Sequence, residues 1–223
     1  IFISNMLAFR INFDAHSADD VISSGVKWFP CQKGGANRKW FGNNEHLVNW
    51  HNNGQEIKST VIDRYGSASK RVVNEHLYFR EGLTWSDIAS SRTFFRCFEE
   101  GFIFNNKANC IFFDEEYDKK AVLSFVNSFV FESLLRAVNP TLTGSVGTLA
   151  VLPAPPKAAY GNQISVDSCV SISKFDWNSY DRSWDFQSLP LLSASSEPTP
   201  TLESSYTAWT RENRGTIAEM KRL

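Results

Sequence analysis

Residues 93–113 read TFFRCFEEGFIFNNKANCIFF. Gly101, Asn105 and Asn106 divide this stretch, and glycine and asparagine are residues that turns favour. Between them aromatic residues dominate, which is typical of strands. The stretch therefore predicts three short strands, at 93–98, 102–104 and 110–113.

Residues 118–138, DKKAVLSFVNSFVFESLLRAV, follow with apolar residues at helical spacing. Asp118 is a suitable N-cap, and Asn139 with Pro140 ends the run. The segment is apolar on nearly all sides, so it predicts one buried central helix.

The rest of the chain mixes strands and helices without a regular βαβ rhythm. This favours an α+β fold with a mixed, largely antiparallel sheet, a buried central helix and a C-terminal helical part. We expect an α+β core over 1–157 and a helical or irregular arm over 158–223 that packs on it. Further strands are expected at 6–13, 26–31, 76–80 and 146–152, with Pro30 at an edge or strand end and a turn at 81–82. A short helix or loop is expected at 14–24, and residues 45–65 show helical signals. Helices are expected at 162–175 and from about 201.

The composition is that of an ordinary globular protein, with 42% hydrophobic and 21% charged residues. No run approaches eighteen consecutive apolar residues, so neither a membrane span nor a membrane partner is expected. The chain starts at Ile1 on strand-like residues, which predicts a fragment of a longer protein. Its scattered cysteines favour small core residues and a reducing cytoplasm; they are Cys31, Cys97, Cys110 and Cys169.

The sequence contains no pattern typical of catalysis or metal binding. His46 and His51 are five residues apart, and no carboxylate or thiolate pattern completes a metal site around them. Neither a dinucleotide-binding glycine loop, a Walker loop nor a nucleophile elbow occurs. Residues 139–142 (NPTL) lack the second proline and the aromatic that an amino-methyltransferase stacks on a flipped base. We interpret them as a helix stop and expect no catalytic residue.

Positive charge concentrates in the central third of the chain. Residues 27–96 carry a net charge of +5, whereas residues 97–223 carry −4. Such a distribution suits a protein that meets an anion with one face, although it is also within ordinary surface variation.

Residues 27–44, KWFPCQKGGANRKWFGNN, interleave basic with aromatic residues. Lysine and arginine neutralise phosphates, paired glycines let a backbone approach a phosphate closely, and asparagine amides match adenine. The alternative is a packed surface loop, in which the aromatics are core anchors. The nucleic-acid-binding candidates of this segment are Lys27, Lys33, Gly34, Gly35, Arg38, Lys39, Asn43 and Asn44.

Two further segments carry information. In residues 78–91, YFREGLTWSDIASS, the candidates Arg80, Thr84 and Ser86 are typical phosphate or base-edge partners, and the alternative is a hairpin around a buried Trp85. Residues 176–192, DWNSYDRSWDFQSLPLL, read as an aromatic arm that packs on the body of the chain or on a partner.

Together these segments resemble the PglX family of adenine-specific DNA methyltransferases from BREX phage-defence systems. The resemblance runs from about residue 27 to the end. It rests on residues 27–30 (KWFP), 33–35 (KGG), 38–43 (RKWFGN), 48–50 (VNW), 78–86 (YFREGLTWS), 101–104 (GFIF), 139–142 (NPTL), 176–180 (DWNSY), 183–186 (SWDF) and 190–192 (PLL).

The resemblance implies that the chain is part of the C-terminal target-recognition region of such an enzyme, or of a related fused restriction–methylation enzyme. S-adenosylmethionine would then bind in an N-terminal catalytic domain outside this chain, because the family's Asn-Pro-Pro-Tyr motif has no counterpart here. The expected partners are double-stranded DNA, that catalytic domain and, in addition, other defence-complex subunits or a DNA-mimic inhibitor.

The sequence leaves three alternative functions open. The first is a DNA-binding module that uses the candidates above. The second is a protein-interaction domain that uses the aromatic arm and the acidic C-terminal part. The third, an independent hydrolase, lacks any nucleophile–base pair or metal cluster in the sequence to support it.

Overall fold

The computed structural model describes residues 10–86, 92–105, 107–141, 144–154 and 163–223. Within these ranges the chain forms seven α-helices and six strands. The helices are α1 (Ala18–Ser24), α2 (His51–Tyr65), α3 (Lys119–Val126), α4 (Phe129–Val138), α5 (Val146–Ala150), α6 (Gln163–Asn178) and α7 (Leu202–Arg222). The strands are β1 (Trp28–Gln32), β2 (His46–Asn49), β3 (Gly82–Ser86), β4 (Phe95–Phe98), β5 (Ile103–Phe104) and β6 (Ala108–Ile111).

The strands form two three-stranded sheets. The first has the order β2-β1-β5, with β1 antiparallel to β2 and parallel to β5. The second has the order β4-β3-β6, and both of its pairings are antiparallel. The predicted α+β class with largely antiparallel pairing is confirmed.

Each sheet has its own hydrophobic cluster. Phe29, Trp50 and Ile103 belong to the cluster of the first sheet. Leu83 and Phe95 of the second sheet pack with residues of α3, α4 and α6. Directly paired residues of neighbouring strands point to the same face of a sheet. The register therefore places Thr84, Arg96 and Cys110 together on the other face of the second sheet, away from its apolar cluster.

The prediction of one helix over 118–138 is wrong, because the segment is two helices bent by 67° at Asn127 and Ser128. The Asn127 side chain accepts a hydrogen bond from the Phe95 N–H (3.1 Å) and donates one to the Phe95 carbonyl (2.9 Å). Ser128 then caps α4, accepting from the Phe131 N–H at 3.2 Å. Tertiary bonding to β4 thus interrupts a run that is helical by propensity. The first half, α3, is the buried helix that was expected, whereas Phe129 of α4 is 78% exposed.

Two predicted strands are also wrong. Residues 146–152 are expected as a strand but form α5, because Ser145 caps its first turn and no described strand lies beside it. Short apolar runs are ambiguous between strand and helix by periodicity. Residues 76–80 are expected as a strand but begin in the 3₁₀ turn Glu75–Leu77, after which Phe79 takes a left-handed φ of 68°.

The turn predicted at 81–82 is wrong in the same region, because Gly82 begins β3 and pairs with Phe98. A Cβ on Gly82 would lie 3.0 Å from the Phe98 ring, so close packing requires glycine here. Residues 45–65, expected to be helical, start with strand β2 before α2.

Pro30 lies inside the central strand of its sheet, not at an edge or strand end as predicted. The missing N–H is tolerated because β5 pairs only with Cys31 and Gln32, beyond the proline. Of the strand expected at 6–13, residues 6–9 lie outside the described residues, and Ile11 forms a single bridge to Trp28. The domain boundary expected at 157/158 also lies outside them.

The C-terminal helices follow the sequence prediction closely. The helix expected at 162–175 is α6, and its Val166 belongs to the apolar cluster of the second sheet. The final helix, α7, begins with a capping box in which Thr201 and Ser204 bond each other's N–H groups at 3.1 Å. Among the described helices none is by itself long and apolar enough to cross a membrane; only the bent pair α3–α4 passes that test, when its two halves are taken together.

Candidate nucleic-acid interface

Residues 33–45, here called the β1–β2 loop, connect the first sheet to the second. Trp40 has a left-handed φ of 73°. Its N–H donates to the Phe95 carbonyl and its carbonyl accepts from the Cys97 N–H, both at 2.9 Å. The loop is therefore hydrogen-bonded to β4 at its centre and is continuous with β1 and β2 at its ends.

Asn43 and Asn44, predicted to read bases, are buried inside this loop. The Asn43 amide donates to the Ala36 carbonyl at 2.7 Å, and Asn44 accepts from the Gln32 amide at 2.8 Å. Both side chains hold the loop in shape. In this arrangement neither is presented to a ligand outside.

Thr84 and Ser86 of β3 also make internal bonds. The Thr84 hydroxyl, which is fully buried, donates to the Asn109 carbonyl at 2.9 Å. The Ser86 hydroxyl donates to the Gly35 carbonyl at 2.9 Å. Ser86 thus supports the outer part of the loop.

Gly34 and Gly35 differ in accessibility. Gly34 is buried, and a Cβ there would lie 2.8 Å from the Lys107 carbonyl oxygen. The backbone that Gly34 approaches closely is therefore that of Lys107. Gly35 is exposed, with a φ of 136° that glycine alone adopts readily, and it carries the outermost part of the loop.

Arg38 and Lys39 lie on the inner side of the loop. The Arg38 guanidinium forms an ion pair with Asp176 of α6 and lies 5.1 Å from the centre of the Trp177 ring. The Lys39 ammonium lies 4.5 Å from the centre of the Trp40 ring. Burial, followed by the charge of Arg92, lowers the pKa of Lys39.

Of the predicted candidates, Lys27, Lys33 and Arg80 are exposed cations, and the structure adds the exposed Lys107 beside Gly34. Gly34, the residue after Lys33, lies against the backbone of Lys107. The Arg80 guanidinium donates to the Phe113 carbonyl at 2.7 Å. Among the described residues, none of these four side chains is ion-paired with a carboxylate, whereas Lys58, Lys119, Lys120, Lys174 and Arg182 are. The sequence feature that could have pointed to Lys107 is its position directly after the turn predicted at 105–106.

Arg96 is a buried cation that the sequence analysis missed. It is 1% exposed, and its Nε and Nη2 atoms have no hydrogen-bond partner among the described residues. Burial is the main cause that lowers its pKa, to about 10. Because Trp40 bridges to Arg96, this charge lies directly behind the β1–β2 loop. A lone arginine within the aromatic run 93–98 was the available signal.

A polar pocket of about 330 Å³ lies at the other end of β1, by Lys27. The remaining lining residues are Asn49, His51, Gln55, Glu56 and Ser59. An apolar groove of about 590 Å³ runs between α6 and α7. Its walls include Ile172, Phe175, Tyr206, Trp209, Ile217 and Met220.

The aromatic arm packs on its own chain. Trp177 is 3% exposed and lies between the guanidinium groups of Arg38 and Arg182. Trp184 makes an edge contact with Phe13 at 5.9 Å between ring centres. Both tryptophans of the arm therefore contact residues of their own chain.

The described residues contain no group of three His, Cys, Asp or Glu side chains placed to hold a metal ion. Asn139 ends α4, and its side chain accepts from the Thr141 N–H at 3.0 Å, which confirms residues 139–141 as a helix stop; Leu142 lies outside the described residues. Burial raises the pKa of the Cys31 and Cys110 thiols to about 12, which disfavours their reactive thiolate forms.

No protein-family model matches the chain. The adenine-specific methyltransferase PglX of Lacticaseibacillus casei (strain Zhang) is 32% identical over 217 residues, which are 96% of this chain and 18% of that protein. The adenine-specific methyltransferase BrxX of Escherichia coli (strain HS) is 30% identical over 181 residues, covering 79% of this chain and 14% of that protein. The chain is therefore similar, along most of its length, to one segment that spans less than a fifth of these PglX and BrxX methyltransferases. The resemblance predicted from the sequence is confirmed.

Proposed function

We propose that the chain is the DNA-binding target-recognition region of an N6-adenine DNA methyltransferase in a BREX-type phage-defence system. The observation that carries the proposal is that Lys27, Lys33, Arg80 and Lys107 are exposed and have no carboxylate partner among the described residues, in a chain similar to adenine-specific methyltransferases. Such cations can neutralise DNA phosphates.

The chemistry of the family supplies the physical need for such a region. A methyltransferase acting on adenine in duplex DNA must extrude the base from the stack, at a cost of a few kcal/mol. A second element must hold the duplex while the base is out. In this proposal the cations provide that hold, and S-adenosylmethionine binds in the rest of the parent protein, which carries the catalytic motif.

In this proposal the residues predicted from the sequence have different tasks. Lys27, Lys33, Gly35 and Arg80 are exposed and able to meet phosphates. Asn43, Asn44 and Ser86 shape the β1–β2 loop through internal hydrogen bonds, whereas Thr84 bonds to β6 within its own sheet. Arg38 attaches the loop to α6. Their contribution to DNA binding is accordingly indirect, through the position of Lys33 and Gly35.

Charge reversal at the exposed cations tests the proposal. Fluorescence anisotropy with a 20-base-pair duplex at low salt should show binding by the wild type and a loss of about 100-fold or more for the Lys33→Glu/Lys107→Glu double variant. The matched control is Arg211→Glu/Lys221→Glu, which makes the same charge change on two exposed cations of α7. Equal affinities of the two double variants would show that the effect is one of net charge alone, and would contradict the proposal.

A second candidate function, docking to another part of the defence machinery, is favoured by the groove between α6 and α7. Its exposed residues include Phe175 (65%), Tyr206 (57%) and Ile217 (54%), an apolar surface that soluble proteins normally cover. Because the relatives are more than five times as long as the matched segment, the occupant in this proposal is the remainder of the parent polypeptide.

This docking has its own test. The 223-residue chain with Tyr206→Asp should fail to capture the separately expressed remainder of the parent polypeptide, whereas Ile22→Asp, an exposed apolar site on α1, should capture it normally. Normal capture by the Tyr206 variant would exclude the groove as the docking surface.

A further inference from the structure

The polar pocket beside Lys27 is built from three elements. Lys27 precedes β1, Asn49 ends β2, and His51, Gln55, Glu56 and Ser59 belong to the first turns of α2. The Trp50 N–H donates to the Lys27 carbonyl at 3.0 Å, which holds the start of β1 against the end of β2. All six side chains are polar, so the pocket is suited to a ligand with its own donors and acceptors.

A left-handed turn shapes this pocket. Asn52, Asn53 and Gly54 have φ values of 48°, 57° and 72°, three successive residues in the left-handed region. The Trp50 indole N–H donates to the Asn53 side chain at 3.2 Å, and its ring leaves no room for a Cβ on Gly54. The turn therefore fixes Asn49 and His51 opposite the regular part of α2, which begins near Gln55.

The donors and acceptors of the pocket match a nucleotide. Asn49 donates to Oε2 of Glu56 at 2.6 Å, and Oε1 of Glu56 has no hydrogen-bond partner among the described residues. A carboxylate accepts from the exocyclic amino group of cytosine, and an amide such as that of Gln55 pairs with adenine. Lys27, which is exposed on the rim, can neutralise the adjoining phosphate.

We propose that this pocket is a base-reading subsite for a base that presents an amino group in the major groove of DNA, adenine or cytosine. Glu56 and Gln55 contact the base edge, and Lys27 holds the neighbouring phosphate. This inference rests on the proposed DNA-binding function and adds a site of sequence discrimination to it. Glu56 also repels phosphate, so it lowers non-specific affinity while it favours the amino group.

One duplex can reach both ends of β1. Six residue steps separate Lys27 from Lys33, and at about 3.3 Å per residue an extended strand of that length spans about 20 Å. This equals about six base-pair steps of DNA at about 3.4 Å each. With β1 aligned along the duplex, we expect the base read by Glu56 about six base pairs from the phosphates held near Lys33.

Selection from a pool of randomised duplexes tests the subsite. Wild-type chain and the Glu56→Gln variant are used to enrich bound duplexes, and the enriched sequences are compared position by position. The wild type should favour adenine or cytosine at one position by about 10-fold or more. Glu56→Gln should reduce any preference for cytosine at that position below about 2-fold, because an amide pairs with adenine instead. Overall affinity of the variant should be equal or higher, because a negative charge is removed.

The control is Asp63→Asn, which makes the same change at an exposed carboxylate of α2 outside the pocket. It should leave the enriched sequence unchanged. If Glu56→Gln keeps a full preference for cytosine, or if wild type binds duplexes without selecting any sequence, the subsite is overturned while DNA binding stands. If wild type retains no duplex at low salt, both the subsite and the proposed function fail. Unchanged circular dichroism of Glu56→Gln shows that folding is not the cause.

Discussion

Arg38 in the β1–β2 loop is ion-paired with Asp176 at the end of α6, 138 residues further along the chain. The same guanidinium lies over the ring of Trp177. Arg38 thereby connects the loop between the two sheets to the C-terminal helical part. Arg38, which the sequence predicts to contact DNA, here holds the β1–β2 loop, with its exposed Lys33, against α6.

Removal of the contacts made by Arg38 should lower the free energy of unfolding. The pair is partly exposed, with 25% of the Arg38 and 54% of the Asp176 side chain accessible, so solvent screens it. We expect Arg38→Ala to lower the free energy of unfolding by about 1–2 kcal/mol, from the ion pair and the cation–π contact together. Urea denaturation measures this.

Lys120→Ala, which breaks the exposed pair with Asp167 and no ring contact, is the control and should cost less than about 1 kcal/mol. Asp176→Asn adds a second readout, because it should weaken DNA binding by loosening the loop. Unchanged or tighter DNA binding by Asp176→Asn would indicate that Arg38, once released, contacts DNA itself.

Arg96 should destabilise the fold at neutral pH. Its guanidinium is buried, and Nε and Nη2 have no partner within the described part of the chain, so Arg96→Met should raise the free energy of unfolding by about 1–2 kcal/mol at pH 7. Arg64→Met, on the exposed side of α2, should change it by less than about 0.5 kcal/mol. Urea denaturation of both variants tests the expectation.

The pH dependence of this difference has a definite sign. The pKa of Arg96 is lowered to about 10 in the fold, below its ordinary value in the unfolded chain. Below pH 10 the group is charged in both states and the burial penalty is complete. As pH rises through 10 the folded state loses its proton first, so the unfolded state binds more protons and the penalty declines. The advantage of Arg96→Met should therefore shrink between pH 7 and pH 10.5; a constant difference would contradict the assigned pKa.

The cysteines should be unreactive in the folded protein. All four are free, and burial raises the pKa of Cys97 to about 11 and that of Cys31 and Cys110 to about 12. Reaction with a coloured disulfide reagent at pH 8 should be slower than in urea by on the order of 100-fold. A cysteine introduced by Ser196→Cys, at an exposed position, should react at the unfolded rate.

Ionisation of the same thiols should lower the free energy of unfolding at alkaline pH. Their folded pKa values lie above the ordinary 9.0, so between pH 9 and 11 the folded state keeps protons that the unfolded state releases. Stability should consequently fall as pH rises through this range. Fast reaction of the native thiols at pH 8 would show that they are not buried in solution.

Gly42 should be intolerant of any side chain. It has a φ of 122°, and a Cβ there would lie 2.7 Å from Nε of Arg38 and 3.1 Å from the Trp177 ring. We expect Gly42→Ala to cost about 2–4 kcal/mol, from backbone strain and displacement of both side chains. Gly25→Ala is the control for strain alone, since it has a φ of 59° with nothing within 4 Å, and it should cost about 1 kcal/mol. Thermal unfolding of the pair measures the difference; equal costs would mean that the Arg38–Trp177 contact is not tight.

The sequence predicts local structure well where a residue's own neighbours decide it. Asp118 caps α3 and Asn139 ends α4 through side-chain bonds within three residues, as propensity suggests. It fails where distant groups decide. Asn127 breaks the central helix because Phe95 lies beside it, a contact that the sequence does not display.

The candidate site divides along the same line. Lys27, Lys33 and Arg80 are exposed, as charged residues on turns usually are. Asn43, Asn44 and Thr84 have side chains suited equally to a ligand or to an internal bond, and the fold provides internal partners for all three. Lys107 and Arg96 join the site only through sheet register and loop packing, so spacing along the chain did not bring them to attention.

The salt dependence of duplex binding by wild type, Lys33→Ala and Lys221→Ala tests whether the β1–β2 loop contacts DNA phosphates. The logarithm of the association constant should fall linearly with the logarithm of salt concentration. Lys33→Ala should reduce the magnitude of that slope by about 0.9, the value for one lost phosphate contact, and Lys221→Ala should leave it unchanged. Identical slopes for wild type and Lys33→Ala would contradict a phosphate contact at the β1–β2 loop, and with it the proposed DNA interface.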